Sequence, residues 1–158
     1  MSAAEILASV GRSAPAQAIA KSDHLVGAAL QIGHVLGFVL LLASLVLVSL
    51  RQLGWVLPQA SLRTVLIGPL RLLWAGLALA ALTGVLMFIA SPALYFFKPV
   101  FLFKLGLLVL AVLLQGTVSF LALRADSDGV SGRVKLLVLL SVLAWFGVGA
   151  AGRIIGFV

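Results

Sequence analysis

The sequence predicts an all-α fold: an integral membrane protein built as a bundle of four transmembrane helices. Three observations carry that prediction. Apolar residues make up 63% of the 158-residue chain and charged residues 9%, which does not describe a water-soluble surface. So much apolar surface would not fit inside one small core. Several nearly uncharged runs exceed the ~20 residues that a helix needs to cross a bilayer. The short alternating segments of a membrane β-barrel are absent, and a backbone inside lipid must then satisfy its own hydrogen bonds as helix.

Residues 1–23 read as an amphipathic lead-in. Ser2 and Glu5 have capping-box spacing, Ile6, Leu7 and Val10 follow on one side, and Gly11 and Pro15 divide the stretch in two. The pattern suits a helix lying on the membrane surface; a partner-binding arm is the alternative. It holds no continuous apolar run of the signal-peptide kind, so the first span is expected to direct insertion. Ser22 or Asp23 is placed to cap that span.

The first span, about residues 24–50, carries no charge before Arg51 and holds the chain's two histidines. At about 100° per residue, His24, Gly27, Gln31, His34 and Phe38 share one face. The connection 51–71 has three arginines, two prolines and Trp55, and a short interfacial helix is expected over Gln59–Ile67. The second span, about 70–90, carries Gly76, Ala80, Thr83, Gly84 and Met87 on one side, a face for close helix packing. Ser91-Pro92 ends it, and Tyr95 to Pro99 form an aromatic belt beside Lys98. The third span, about 99–123, places Lys104, Ala111, Gln115 and Ala122 on one stripe, with Ser119 nearby. Arg124 to Lys135 reads as a polar turn. The fourth span, about 134–156, aligns Trp145, Gly149, Gly152 and Gly156. Gly33–Gly37 and Gly152–Gly156 both have GxxxG spacing, which admits either a neighbouring helix or a flat cofactor.

Four spans put both chain ends on one face of the membrane, termed end A, together with loop 90–98; the other loops lie at end B. Five cations fall toward end A (Arg12, Lys21, Lys98, Lys104, Arg153) and six toward end B. That slightly favours end B as cytoplasmic. The net charge of +7 is spread over helix ends, where it anchors spans, so nucleic acid is not an expected partner. There is no cysteine, which excludes disulfides, iron–sulfur clusters and covalent haem attachment.

Threading the spans collects His24, Gln31, His34, Met87, Tyr95, Lys104 and Arg153 in the end-A half, and the opposite half reads as Leu, Val and Ala. Such an asymmetry suits an anionic, partly apolar molecule. Haem b fits the description: its iron takes imidazole, its propionates need cations, and its ring is apolar. His34 is the preferred axial ligand, with His24 a second possible one, Lys104 and Arg153 on the propionates, and nearby glycines admitting the ring. The two histidines lie ten residues apart, about 15 Å along one helix, so they do not clamp one iron; the sixth position would take Met87, a second subunit's histidine, or nothing. A quinone is the rival, its head group taking hydrogen bonds from His, Gln or Lys. The plainer readings place His24 at the interface, bond His34 to Gln115 or a backbone carbonyl, let Lys104 and Arg153 snorkel, and leave Met87 to packing. No span holds Asp or Glu, which speaks against a carboxylate proton relay, and no nucleophile–base pair points to a hydrolase.

The chain resembles a bacterial family of small four-helix membrane proteins with no settled function. The resemblance rests on His24, His34, Gly33 and Gly37, on LRQLG at 50–54, Pro69, Trp74, TGVLMF at 83–88, Tyr95, FLFKLG at 101–106 and AGR at 151–153. It is also distantly similar to the membrane domain of CopD copper-resistance proteins and to b-type cytochrome membrane subunits. That similarity implies a multi-pass protein of the bacterial inner membrane with haem or copper as cofactor. The chain departs from b-type cytochromes in having no histidine on a second helix. The expectation is therefore an electron-transfer component holding haem b or quinone, working as a homo-oligomer or as a subunit of a larger membrane complex. The alternatives are a cofactor-free accessory subunit, and a copper-handling or small-solute permease.

Overall fold

The computed structural model describes residues 2–124 and 131–157. Among them there is no strand, and seven helices follow one another: α1 (Ala3–Gly11), α2 (Ala14–Ala20), α3 (His24–Leu53), α4 (Leu62–Ala90), α5 (Pro92–Phe96), α6 (Pro99–Arg124) and α7 (Gly132–Ile154). Helices α3, α4, α6 and α7 are each long and apolar enough to cross a membrane. Their outer faces expose Leu, Val, Ile and Phe along the whole length, the surface a lipid solvent requires.

The bundle is two hairpins. α3 packs most extensively on α4 and α6 on α7, and α3 against α7 joins the pairs; α4 meets α6 over a narrower strip. The shared core is Leu41, Leu45, Leu73, Ala111, Ala144, Trp145 and Val148. Toward end B it continues as Val48, Leu62, Leu66, Leu70 and Ala122. At end A, Gly11 lies against Pro92, and the Lys98 ammonium donates to the Ile155 carbonyl at 3.2 Å, satisfying the C-terminus of α7.

Three elements differ from the expectation. The interfacial helix over Gln59–Ile67 is not separate: α4 starts at Leu62, where the Ser61 hydroxyl accepts from the Thr64 amide at 3.3 Å, and runs unbroken through Pro69. A proline removes one backbone hydrogen bond, and in a membrane helix neighbouring groups make that tolerable. Loop 90–98 contains a further helix, α5. The lead-in has its predicted capping box, Ser2 to Glu5, yet it leans on protein: α2 packs on α4 and α1 on α5, burying Leu7 and Ala16. Residues 125–130 of the expected polar turn lie outside the described residues.

Candidate functional site

The site begins with how closely α3 and α4 approach. A Cβ added at Gly37 would lie 2.7 Å from the Ala80 amide nitrogen and 2.8 Å from the Gly76 carbonyl; one at Gly76 would lie 2.6 Å from the Gly37 carbonyl. The two backbones are in contact, and only glycine permits it. One turn toward end A on α3, His34 reaches across to α4.

The His34 ring lies on Gly84, where a Cβ would be 3.0 Å from its Cε1. Its Nδ1 is 2.7 Å from the Ala80 carbonyl. A carbonyl only accepts, so Nδ1 carries the proton and donates, and in the neutral ring Nε2 keeps a bare lone pair. Thr83 sets the other wall: its hydroxyl donates to the Leu79 carbonyl at 2.7 Å, and its Oγ1 is 3.4 Å from Nδ1. Among the described residues no hydrogen bond reaches Nε2. The same orientation, one ring nitrogen tied to a carbonyl and the other free, is what a ligating or proton-accepting histidine needs.

Lys104 comes to this half-membrane from α6. It is half-buried, its chain laid across α7 with Nζ 3.2 Å from where a Cβ on Gly152 would stand. Beyond these two lies an aromatic layer in which Phe88 and Phe101 stack with centroids 5.4 Å apart and Tyr95 tilts against Phe101 at 5.9 Å.

The remaining candidates stand elsewhere. His24 is exposed and pairs with Asp23 at the start of α3. Gln31 is exposed on the same free stretch. Arg153 is exposed and lies over the Phe157 ring, 5.1 Å from its centroid. Met87 is half-buried. Among the described residues no three His, Cys, Asp or Glu side chains gather as a metal site would require.

The glycines expected to admit a flat ring are occupied. Thr83 fills the space at Gly33, Phe38 that at Gly149 and Lys104 that at Gly152. A macrocycle beside His34 does not fit this packing within one chain.

One expectation is corrected outright. The end-B half is not plain Leu, Val and Ala: of the eight buried polar residues among those described, only Thr83 is in the end-A half. Ser44, Ser49, Arg51, Gln52, Gln115, Ser119 and Ser141 are all toward end B. Gln115 ties α6 to α7, accepting from the Ser141 hydroxyl at 2.9 Å and donating to Ser119 at 3.1 Å. Sequence held a signal for this. Leu41, Leu45, Val48 and Gln52 fall on one buried stripe of α3, so Gln52 had to point inward.

Comparison with protein families, with curated proteins and with solved structures finds no match to this chain.

Proposed function

We propose that the chain is a multi-pass component of an electron-transfer system in the bacterial inner membrane, and that His34 and Lys104 together hold the head group of a quinone. The observation that carries this reading is the split of the His34 ring: Nδ1 is committed to the Ala80 carbonyl at 2.7 Å, which leaves Nε2 as an acceptor in lipid-depth surroundings. An acceptor without a partner at that depth is costly. From α6, in the same half of the bundle, Lys104 offers a donor and a charge.

A quinone supplies two-electron, two-proton chemistry when bound. The residues supply the complement: Nε2 accepts a hydrogen bond from a hydroxyl in the reduced form, and the Lys104 ammonium donates to a carbonyl oxygen in the oxidised form. The isoprenoid tail would lie along the apolar outer surface of the helices. Haem b in the same half would require a second chain or displacement of Thr83, Phe38 and Lys104. Assembly as an oligomer or in a larger complex belongs to this reading, since electrons must arrive from another centre.

The test uses protein purified in detergent and titrated with a short-chain ubiquinone analogue, read by quenching of the tryptophan fluorescence. Binding is expected, weakened about tenfold or more in His34→Gln and in Lys104→Leu, the loss of a hydrogen bond to a charged or buried group. Glutamine at 34 can keep the bond to Ala80, so loss of binding with an intact fold would implicate Nε2. A Soret band in the purified protein would replace quinone by haem. Neither band nor binding, with both variants assembling as wild type, would leave a cofactor-free accessory subunit.

A further inference from the structure

Arg51 occupies the last turn of α3 and is 2% exposed. One of its terminal nitrogens donates to the Ala60 carbonyl in the α3–α4 connection, and its Nε has no partner. Gln52, the next residue and also 2% exposed, has no partner on either Nε2 or Oε1. The chain has four acidic residues; Glu5 and Asp23 belong to end A, and no described carboxylate pairs with Arg51. A guanidinium stays charged, and burying it without a counter-charge is strongly unfavourable. The Ala60 carbonyl and the C-terminal dipole of α3 offset a part of that cost.

The unmet groups are two donors and one acceptor on adjacent residues. They fit an anion that also carries a donor of its own. Depth narrows the choice: 27 residues separate His24 from Arg51, about 40 Å of helix, against a hydrocarbon thickness of about 30 Å. A span centred on that layer leaves its last turn, and Arg51 with it, at about the level of lipid phosphates. We propose that Arg51 and Gln52 form a binding site at end B for a phosphate monoanion bearing a hydroxyl or amine donor: a lipid head group of that kind, or free dihydrogen phosphate. The guanidinium Nε and the Gln52 amide nitrogen donate to phosphate oxygens, and Gln52 Oε1 accepts from the ligand's donor. The site is at the opposite end of the bundle from His34 and does not depend on the reading given to it.

Two arms test this. In the first, protein reconstituted in phosphatidylglycerol nanodiscs is re-extracted in detergent and its retained phosphorus is counted by phosphorus NMR. In the second, inorganic phosphate is titrated into delipidated protein and thermal unfolding is followed. Retention in the first arm identifies the head group as ligand; stabilisation in the second alone identifies free phosphate. In whichever arm responds, Arg51→Gln should weaken binding about tenfold or more, and Gln52→Leu, which keeps the charge, should weaken it with the fold intact. Should Arg51→Gln fail to assemble, Gln52→Leu carries the test. No response in either arm would overturn the proposal, as would unchanged binding in Gln52→Leu. So would a phosphate-independent loss of stability in Asp126→Asn/Asp128→Asn equal to that of Arg51→Gln, which would make a carboxylate of this chain the counter-ion.

Discussion

Gly37 and Gly76 face each other so closely that each occupies the place of the other's missing side chain. An alanine at either position must push two helix backbones apart, and backbone does not yield as a flexible side chain does. Gly37→Ala is therefore expected to destabilise the bundle by about 1–3 kcal/mol, the usual cost of overpacking a close contact. Gly27→Ala is the control: nothing lies within 4 Å of its added Cβ, and helix propensity favours alanine by about 1 kcal/mol. Chemical unfolding in detergent micelles separates the two; equal effects would show that the crossing is not glycine-limited. The GxxxG spacing at Gly33–Gly37 was legible in the sequence, but its use was not. Spacing alone does not tell a helix partner from a flat ring, because both need the same absent Cβ. The contacts of Thr83 and Ala80 decide for the helix. His34 was likewise legible as a residue needing a partner, while the partner, a carbonyl 46 residues away on α4, carries no side-chain signature. Arg51 and Gln52 were hidden for a different reason: at a helix end, a cation reads as an interfacial anchor, and only packing shows that the connection folds over it.

Among the elements, the four spans were the most legible, since length and hydropathy alone place them. Their ends and the short helices were not. α4 begins eight residues before the expected 70, because arginines and a proline that mark a loop in water sit in the first turns of a helix emerging from lipid. The lead-in gives the sharper test. Its pattern suits a helix on the membrane surface, but Ala16 is 0% exposed and α2 packs on α4. At that position a larger side chain has no room, so Ala16→Leu should lift the lead-in from the bundle. Limited trypsin digestion would report it as faster cleavage after Arg12 and Lys21, while Ala18→Leu, at an exposed position, should leave the rate as in wild type. Equal rates in both variants would mean that the lead-in is held by lipid rather than by α4.

At the scale of the whole molecule, the arrangement of the two hairpins fixes the topology more firmly than charge does. Setting aside Lys104 and Arg51, which are drawn into the bundle, leaves four cations toward end A and five toward end B, too even to orient the protein by the distribution of Lys and Arg. The contacts are unambiguous about which ends belong together. Gly11 touches Pro92 and Lys98 bonds to Ile155, so the N-terminal segment, the α4–α6 connection and the end of α7 gather at one face. Each spanning helix has 23 to 30 residues, or about 35–45 Å, enough to cross a hydrocarbon layer of about 30 Å with some tilt. Tags placed at the N-terminus and at Asp128 are therefore expected in opposite compartments. In sealed vesicles a protease added from outside should remove one tag and spare the other until detergent is added. Loss of both tags together, or protection of both, would break the four-span arrangement and with it the assignment of His34 and Arg51 to opposite halves of the membrane.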